Sequence, residues 1–482
     1  MFIVIGFVIY FAIVFLIGYL AHKNQTLSTS PESSSSFILG NRSVNYWLTA
    51  LSAQASDMSD WLFMALPAMI FTGGLFNGWV AIGLVGGMFA SWHFIAPKLR
   101  TITEKLNCYT LSSYFEKRFN DRSGMLRTLS ALMTLFFFIV YICAGLTGIG
   151  LLVESALGVH YTYGVIGASL MVAIYTIVGG FIAVAWFDAF QAIFLLCALF
   201  LTASSSYIIA GGWPQISLAA ASHGVSLSLL PDYSWTTLLN ALFIGLSWGL
   251  GYFGVPHVLT KFMAINDVRE MHKAKYIGIA WQILALSIAV SIGVIGLAYF
   301  SNGIANPELI FIRMVVDMFS PLAAGLILCA IVGATLATVE AQVIVVASVF
   351  TEDFYRQTLK NPTKELLEWA FRACIFFVTI AACSLALLKL HSIQQLVGYA
   401  WMGLGSSFGP VVLLSLYSTS INRYGAFSGI LGGGIVAALW ENYLKSLVTI
   451  SGLSIPALIP GFAVSILLIY GVSFLTKDLN KN

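Results

Sequence analysis

Four carboxylates lie within long apolar stretches of the sequence: Asp57, Asp60, Asp188 and Glu340. A carboxylate at such a position must be paired with a cation, protonated or bound to an ion, because an isolated charge is costly in an apolar medium. All of the lysines and arginines can be placed in loops or near the ends of the apolar stretches. We therefore predict that the compensating positive charge comes from solution, as Na⁺, as H⁺ or as a cationic group of a substrate.

Asp57 and Asp60 belong to a polar segment, Ser52–Trp61, with the sequence SAQASDMSDW. Serine and aspartate side chains compete for backbone hydrogen bonds. We expect the helix to unwind here, so that free carbonyls line a cavity and can hold a cation. The alternative is a continuous helix whose Ser/Asp-rich face packs on a neighbour.

Two further segments interrupt the apolar pattern. Residues 245–256, GLSWGLGYFGVP, contain four glycines and a proline, which makes an uninterrupted helix improbable. The alternative is close helix packing with a proline kink. In the third segment Ala334, Thr338 and Gln342 follow at four-residue spacing and form a small, polar stripe, next to which lie Ala337 and Glu340.

The composition defines the class of protein in which these segments lie. Of the 482 residues, 59% are hydrophobic and 9% are charged, against about 25% charged in a soluble domain. This excludes a soluble enzyme, a nucleic-acid binder and a disordered scaffold, and it predicts an all-α membrane protein. About thirteen segments are long enough to span a bilayer: 1–21, 46–72, 76–97, 125–156, 161–181, 187–211, 235–260, 274–302, 321–350, 368–390, 393–418, 424–443 and 456–476.

The distribution of basic residues predicts the orientation. With the N-terminus outside and the C-terminus inside, every one of the 23 lysines and arginines except Arg313, Lys389 and Lys445 falls in an inside loop. The two interrupted spans, the second and the seventh, are five apart, as in a secondary transporter built from two inverted repeats. This predicts a first helix with a Ser-rich linker at Ser28–Ser36 (1–45), two five-helix repeats (46–211 and 235–418) and two final helices (424–482).

At these segments the sequence resembles the sodium:solute symporter family, and within it the bacterial members that carry proline. The resemblance covers nearly the whole chain. It rests on Gly40–Ser43 (GNRS), Ala50–Ala53 (ALSA), Ala55–Ser59 (ASDMS), Trp248–Gly254 (WGLGYFG), Pro256–His257, Thr351–Asp353 (TED) and Gly409–Leu413 (GPVVL).

The resemblance implies a leucine-transporter-like fold of thirteen helices, ten of them in two inverted repeats. It also implies a sodium site of backbone carbonyls and two hydroxyl positions, here Ala55, Met58, Ala334, Ala337 and Thr338. Asp57 matches an aspartate that is important for sodium dependence. The implied substrate-contacting positions are Ser59, Trp61, Tyr141, Trp248, Tyr252 and Pro256.

The sequence departs from the family pattern at three positions. Ala337 has no hydroxyl where serine is usual, Glu340 replaces a small hydroxyl residue, and Asp60 replaces a glycine. In relatives with a second sodium site, that site lies near the aspartate matched by Asp188. Two hypotheses remain open: one or more of these carboxylates carries H⁺, beside Na⁺ or in its place, or Glu340 and Asp188 are only hydrogen-bonded and Na⁺ still binds.

The sequence therefore predicts a secondary active transporter of the bacterial inner membrane, and not an enzyme. It takes up a small amino acid, L-proline, with Na⁺ by alternating access, surrounded by lipid and without nucleic acid or an obligatory protein partner. The alternatives are symport driven by H⁺ alone or by Na⁺ and H⁺ through Glu340 and Asp188, or another small amino or carboxylic acid. A sensor or a channel with a transporter-like membrane domain is the rival from a different class.

Overall fold

The computed structural model describes residues 2–26, 39–178, 181–355, 363–447 and 452–477, and within these the chain is helical. The predicted Ser28–Ser36 linker lies outside the described residues. The helices are α1 (Phe2–Thr26), α2 (Tyr46–Ala55), α3 (Ala65–Gly73), α4 (Trp79–Ala90), α5 (Ala96–Lys105), α6 (Leu111–Arg118), α7 (Met125–Leu157), α8 (Tyr161–Val178), α9 (Phe181–Ile209), α10 (Gly212–Ser222), α11 (Trp235–Gly251), α12 (Pro256–Met263), α13 (Met271–Tyr299), α14 (Ile310–Met318), α15 (Pro321–Val349), α16 (Lys364–Leu387), α17 (Ile393–Tyr417), α18 (Arg423–Leu439) and α19 (Leu458–Leu475).

Each apolar segment of the sequence coincides with one helix or with consecutive helices. By length and composition, eight helical segments of the described residues can cross a membrane, or nine if α11 and α12 form one span. Shorter apolar helices lie at Phe2–Val14, Asp60–Gly73 and Tyr161–Ile177. The count of thirteen crossings and the orientation of the termini stay predictions.

The helix α15 lies at the centre of the bundle. Almost every side chain from Ala324 to Val349 is buried, and α1, α7, α9 and α16 pack around it. The peripheral helices expose large apolar side chains, for example Phe136, Phe200 and Phe377. Exposed apolar surface on this scale suits contact with lipid, and the helices satisfy their own backbone hydrogen bonds as a bilayer requires.

A glycine interface joins α4 to α11. A Cβ atom on Gly83 would overlap with the backbone of Gly245, and one on Gly87 would overlap with the backbone of Gly249. Small residues allow two helices to approach to backbone contact in this way. The first part of the seventh span is therefore packed directly against the third span.

The side chain of Arg42 connects the start of α2 to the end of α12. Its Nη1 donates to the carbonyl oxygen of Met263 at 2.6 Å and to the Thr103 hydroxyl at 3.3 Å. Its Nη2 donates to the carbonyl oxygen of Cys108 at 2.8 Å. The second part of the seventh span is thereby held to the second span and to the segment around α5.

Candidate ion and substrate site

The second span is broken where the polar segment lies. α2 ends at Ala55, and a single 3₁₀ turn, Asp60–Leu62, precedes α3. The Ser56 hydroxyl donates to the carbonyl oxygen of Ser52 at 2.7 Å. This carbonyl lies near the end of α2, where the serine side chain competes with backbone amides for the hydrogen bond. The predicted break is confirmed.

The seventh span is broken as well. α11 ends at Gly251, α12 begins at Pro256, and the two helices meet at an angle of 51°. Proline suits the first position of α12, where the helix needs no amide hydrogen. The indole of Trp401 packs directly on Gly251, where a Cβ atom would overlap with it, so the close approach requires glycine. This predicted break is also confirmed.

Three of the five predicted sodium ligands meet at the end of α2. The Thr338 hydroxyl donates to the carbonyl oxygen of Ala334 at 3.1 Å and lies 3.5 Å from the carbonyl oxygen of Ala55. The last carbonyls of a helix lack an intrahelical amide partner. Met58 and Ala337 are also buried, and Ala337 supplies no side-chain oxygen. The oxygen atoms that meet here are the Thr338 hydroxyl and the carbonyls of Ala55 and Ala334. Among the described residues, no group of three or more His, Cys, Asp or Glu could hold a metal ion.

Asp57 is buried in the first break and faces the second. Its Oδ2 accepts a hydrogen bond from the hydroxyl of Tyr252, and that hydroxyl accepts one from Gln282 Nε2 at 2.9 Å. Within the described ranges its Oδ1 has no hydrogen-bond partner. In the described part of the chain, no lysine or arginine pairs with this carboxylate. The two breaks are thus joined by the hydrogen bond between Tyr252 and Asp57. That a cation from solution compensates the charge of Asp57 stays a prediction.

Aromatic rings from both breaks form one cluster. The ring centroids of Trp61 and Trp248 lie 5.1 Å apart, and Trp401 lies 6.1 Å from Trp248 and 4.9 Å from Tyr252. The Trp401 indole nitrogen donates to the carbonyl oxygen of Trp248 at 3.2 Å. Sequence reasoning missed Trp401, because an aromatic residue in an apolar span is indistinguishable from an ordinary core ring.

The remaining predicted substrate positions lie around this cluster. Tyr141, on α7, lies 5.9 Å from the ring of His257, the residue after Pro256. The Ser59 hydroxyl accepts from the Trp61 amide at 3.3 Å and caps the turn that carries Trp61. His257 is buried, and in the described part of the chain neither ring nitrogen has a hydrogen-bond partner. His257 belongs to the Pro256–His257 pair on which the family resemblance rests, but the sequence predicts no role for it.

Asp188 contradicts the prediction that no basic residue reaches the buried carboxylates. Its Oδ2 lies 2.8 Å from Lys261 Nζ and accepts from the Ser52 hydroxyl at 2.5 Å. Lys261 Nζ also donates to the Ser52 hydroxyl at 2.8 Å. The prediction was wrong because it ended the seventh span at residue 260. α12 continues to Met263, and the long lysine side chain is buried inside the bundle.

Glu340 lies near this ion pair. It is buried, and neither of its carboxylate oxygens has a hydrogen-bond partner among the residues that the structure describes. Asp188 and Lys261 both interact with it electrostatically. The structure therefore brings together two of the predicted ion-coupling carboxylates and adds a lysine to them.

Asp60 lies apart from that group, at the first break. Its carboxylate packs against Gly148 of α7, where a Cβ atom would overlap with it. Glu308 interacts with it electrostatically. The predicted ion-coupling residues thus form two groups: Asp57 and Asp60 lie at the break, whereas Asp188 and Glu340 surround Lys261.

Comparison with known proteins identifies the family. The model of the sodium:solute symporter family matches residues 37–433. The chain belongs to the sodium:solute symporter family. This symporter is 38% identical over 470 residues to the high-affinity proline transporter PutP of Bacillus subtilis, covering 96% of each chain. It is 36% identical over 491 residues to the sodium/proline symporter of Staphylococcus aureus, covering 98% of this chain and 94% of the relative.

Solved structures show the fold of the symporter. A Na⁺-coupled sialic acid symporter, in a substrate-bound outward-open state, superimposes with a TM-score of 0.79 at 20% identity and 98% coverage of each chain. MhsT in complex with L-phenylalanine gives a TM-score of 0.55 at 14% identity, over 91% of this chain and 98% of that one. The symporter therefore has a leucine-transporter-like fold. It is a multi-pass membrane transporter of a small molecule and not an enzyme.

Proposed function

We propose that this symporter carries L-proline, or a closely similar small amino acid, into the bacterial cell together with Na⁺ by alternating access. The relatives that match over nearly the whole chain are named as proline transporters. We further propose that residues 46–211 and 235–418 are the two inverted repeats, flanked by 1–45 and 424–482, with the N-terminus outside and the C-terminus inside. In this proposal the chain works in the inner membrane, in contact with lipid and without an obligatory protein partner.

One observation carries the ion-coupling part of the proposal: the Thr338 hydroxyl and the carbonyls of Ala55 and Ala334 lie together at a helix break. At the break, carbonyl oxygens that would accept backbone hydrogen bonds in a continuous helix can instead bind an ion. A broken transmembrane helix that lines a cavity is a common way to bind Na⁺. We assign Met58 and Ala337 to the same site. Asp57 supplies a nearby negative charge.

The aromatic cluster supports a small, ring-shaped amino acid as the substrate. The buried rings of Trp61 and Trp248 are in contact, and Trp401 connects Trp248 to Tyr252. Tyr141 of α7 lies beside His257, the residue after Pro256. Indole and phenol faces pack well on a saturated ring and attract the positive charge of an amine. In this proposal Ser59 and Pro256 lie where the helices resume after the two breaks. Backbone amides and helix dipoles at these positions can receive the substrate carboxylate.

Uptake of radiolabelled proline into proteoliposomes tests the proposal. An inward Na⁺ gradient should drive accumulation of proline above the external concentration, and collapse of the gradient should abolish it. Competition by unlabelled amino acids, sugars and carboxylic acids defines the substrate. If proline never accumulates while another solute does, the assigned substrate is wrong. Flux without accumulation would instead indicate a channel.

Two threonines on α15 provide a matched pair of variants. Thr338→Ala removes an ion ligand, so the Na⁺ concentration for half-maximal uptake should rise about tenfold, the equivalent of about 1.4 kcal/mol. Thr335 donates only to its own helix, to the carbonyl of Ile331 at 2.8 Å, so Thr335→Ala should leave that concentration nearly unchanged. Equal effects in both variants would contradict the assigned sodium site.

A further inference from the structure

A narrow crevice lies between α7, α12, α15 and the chain segment that enters α6. Its wall includes Pro256, one of the proposed substrate positions, and continues along α12 to Thr260, about one helical turn further on. On α15 the wall starts at Ile344, about 9 Å along the helix from Thr338. The crevice therefore leads from the proposed ion and substrate site towards the end of the bundle that carries α6. In the proposed orientation this end faces the cytoplasm.

Hydroxyl groups line this crevice, although it lies within an apolar bundle. The wall residues that carry them are Tyr109, Thr110, Ser112, Thr134, Thr260 and Ser348. Ser348 is 2% exposed, and its Oγ has no hydrogen-bond partner among the residues that the structure describes. A buried hydroxyl without a protein partner is costly unless a polar molecule meets it. The wall thus suits water and a small polar solute better than an apolar chain.

Residues 109–112, which we call the strap, supply the wall of the crevice at the α6 end. The strap is continuous with a helix cap. The Thr110 hydroxyl accepts a hydrogen bond from the amide of Ser113 at 3.1 Å, and the Ser113 hydroxyl accepts one from the amide of Thr110 at 3.2 Å. Such a reciprocal cap fixes the chain to the first turn of its helix. The strap and the start of α6 therefore form one unit.

A buried ion pair fastens the strap to the end of α15. The Thr110 hydroxyl donates to Asp353 Oδ2 at 3.1 Å, and Arg127 Nε donates to Asp353 Oδ1 at 2.5 Å. Asp353 lies in the turn Phe350–Tyr355 that continues α15, and its side chain is 0% exposed. Arg127 lies at the start of α7 and also donates to Glu116 of α6 at 2.9 Å. We call Thr110, Arg127 and Asp353 the latch.

The latch and the proposed sodium site lie on the same helix. Thr338 is in the middle of α15, and Asp353 follows its end. A packed helix moves as a rigid body, so a displacement of α15 at Thr338 also acts on the contacts of Asp353. Charge-assisted hydrogen bonds in a buried place favour the closed arrangement strongly until such a displacement separates them.

We propose that the crevice is the route by which the substrate leaves towards the cytoplasm, that the strap closes this route, and that the latch must part before release. The latch thereby makes opening of the inner end depend on the position of α15. The identity of the solute and the direction of its movement rest on the proposed function. The opening of the crevice does not, and it can be measured without transport.

The first test measures how accessible the crevice is in the folded protein in detergent. Ser348→Cys is combined with Cys108→Ser, so that the thiol beside the strap does not contribute, and its reaction with a hydrophilic thiol reagent is followed. The same chain without Ser348→Cys gives the background. The reaction should be slow in this parent chain. It should be about tenfold faster in Thr110→Val and in Asp353→Asn, because loss of a charge-assisted hydrogen bond shifts a two-state equilibrium by that order.

Three comparisons separate opening of the crevice from general loosening. Thr110→Ser keeps the hydroxyl and should react like the parent, whereas Asp353→Asn opens the latch with the α6 cap intact. Lys273→Met removes an exposed ion pair with Glu270 in a predicted inside loop, at 3.0 Å, and should also react like the parent. Equal rates in the parent and the latch variants, or an equal acceleration in Lys273→Met, would overturn the proposal, whatever the substrate.

The second test compares binding and accumulation of proline. Binding to protein in detergent should be nearly unchanged in Thr110→Val, because the latch does not touch the proposed substrate positions. In proteoliposomes with an inward Na⁺ gradient, the same variant should accumulate less proline than wild type and than Thr110→Ser, because an inner end that opens too early lets solute return. Accumulation equal to that of wild type, or a parallel loss of binding, would overturn the gating role. Absence of proline binding in wild type would count against the proposed function, from which the thiol reaction is independent.

Discussion

Removal of one member of the Asp188–Lys261 pair should destabilise the protein far more than removal of both. The two side chains are 0% and 5% exposed, and the pair shares the Ser52 hydroxyl through contacts of 2.5 and 2.8 Å. Asp188→Asn removes the carboxylate that lies 2.8 Å from the buried Lys261 ammonium, and Lys261→Met leaves the buried Asp188 carboxylate without its lysine. Each single change should cost about 3–5 kcal/mol.

The double variant Asp188→Asn/Lys261→Met removes both charges of the pair. Replacement of a buried ion pair by uncharged groups is often neutral or even stabilising, so the double variant should be more stable than either single variant. The remaining cost is the loss of the charged partners of Ser52, about 1–3 kcal/mol. Comparison of the single and double variants in a double-mutant cycle thus separates the net contribution of the ion pair to stability from the cost of leaving one charge unpaired.

The assay is the temperature at which half of the protein is lost from the monodisperse peak after heating in detergent, compared among wild type and the three variants. The exposed pair Lys389–Glu154, with side chains 48% and 41% exposed, is the control. Lys389→Met should cost at most about 1 kcal/mol. A double variant less stable than both single variants would refute the reasoning, because it would mean that the pair itself stabilises the fold.

Two further predictions concern close packing. Gly148→Ala should destabilise the protein by about 1–3 kcal/mol, because the new methyl group overlaps with the Asp60 carboxylate. The second change Asp60→Gly should restore heat stability. Failure of this rescue would show that the overlap is relieved elsewhere. Gly87→Ala should lower heat stability and uptake by separating α4 from α11, whereas Gly86→Ala, whose Cβ atom meets no atom within 4 Å, should not; equal losses in both would contradict the backbone contact.

The sequence was sufficient for the features that depend on local chemistry. The polar segment around Asp57 and the glycines before Pro256 break their helices where serine, aspartate, glycine and proline predict it. The four-residue spacing on α15 places Thr338 over Ala334, and that threonine contacts Ala55, which the family resemblance assigned to the same site.

Features that depend on long reach between helices were not accessible from the sequence. Lys261 follows an apolar stretch, and hydropathy alone cannot tell a lysine at a membrane boundary from one that is directed into the bundle. Asp188 is 73 residues away in the chain, so no local spacing connects the two. Likewise, Trp401 enters the aromatic cluster only because α17 packs beside Gly251.

The four-residue joint between Gly251 and Pro256 has an experimental consequence. The segment before it is seated backbone to backbone on α4, and the segment after it is anchored through Arg42 and Lys261 to other helices. A donor fluorophore on the first segment and an acceptor on the second would therefore report on rearrangement of the joint alone, in single molecules and in real time. Addition of Na⁺ or proline to such a labelled protein would show which of the two ligands changes the energy transfer between the dyes.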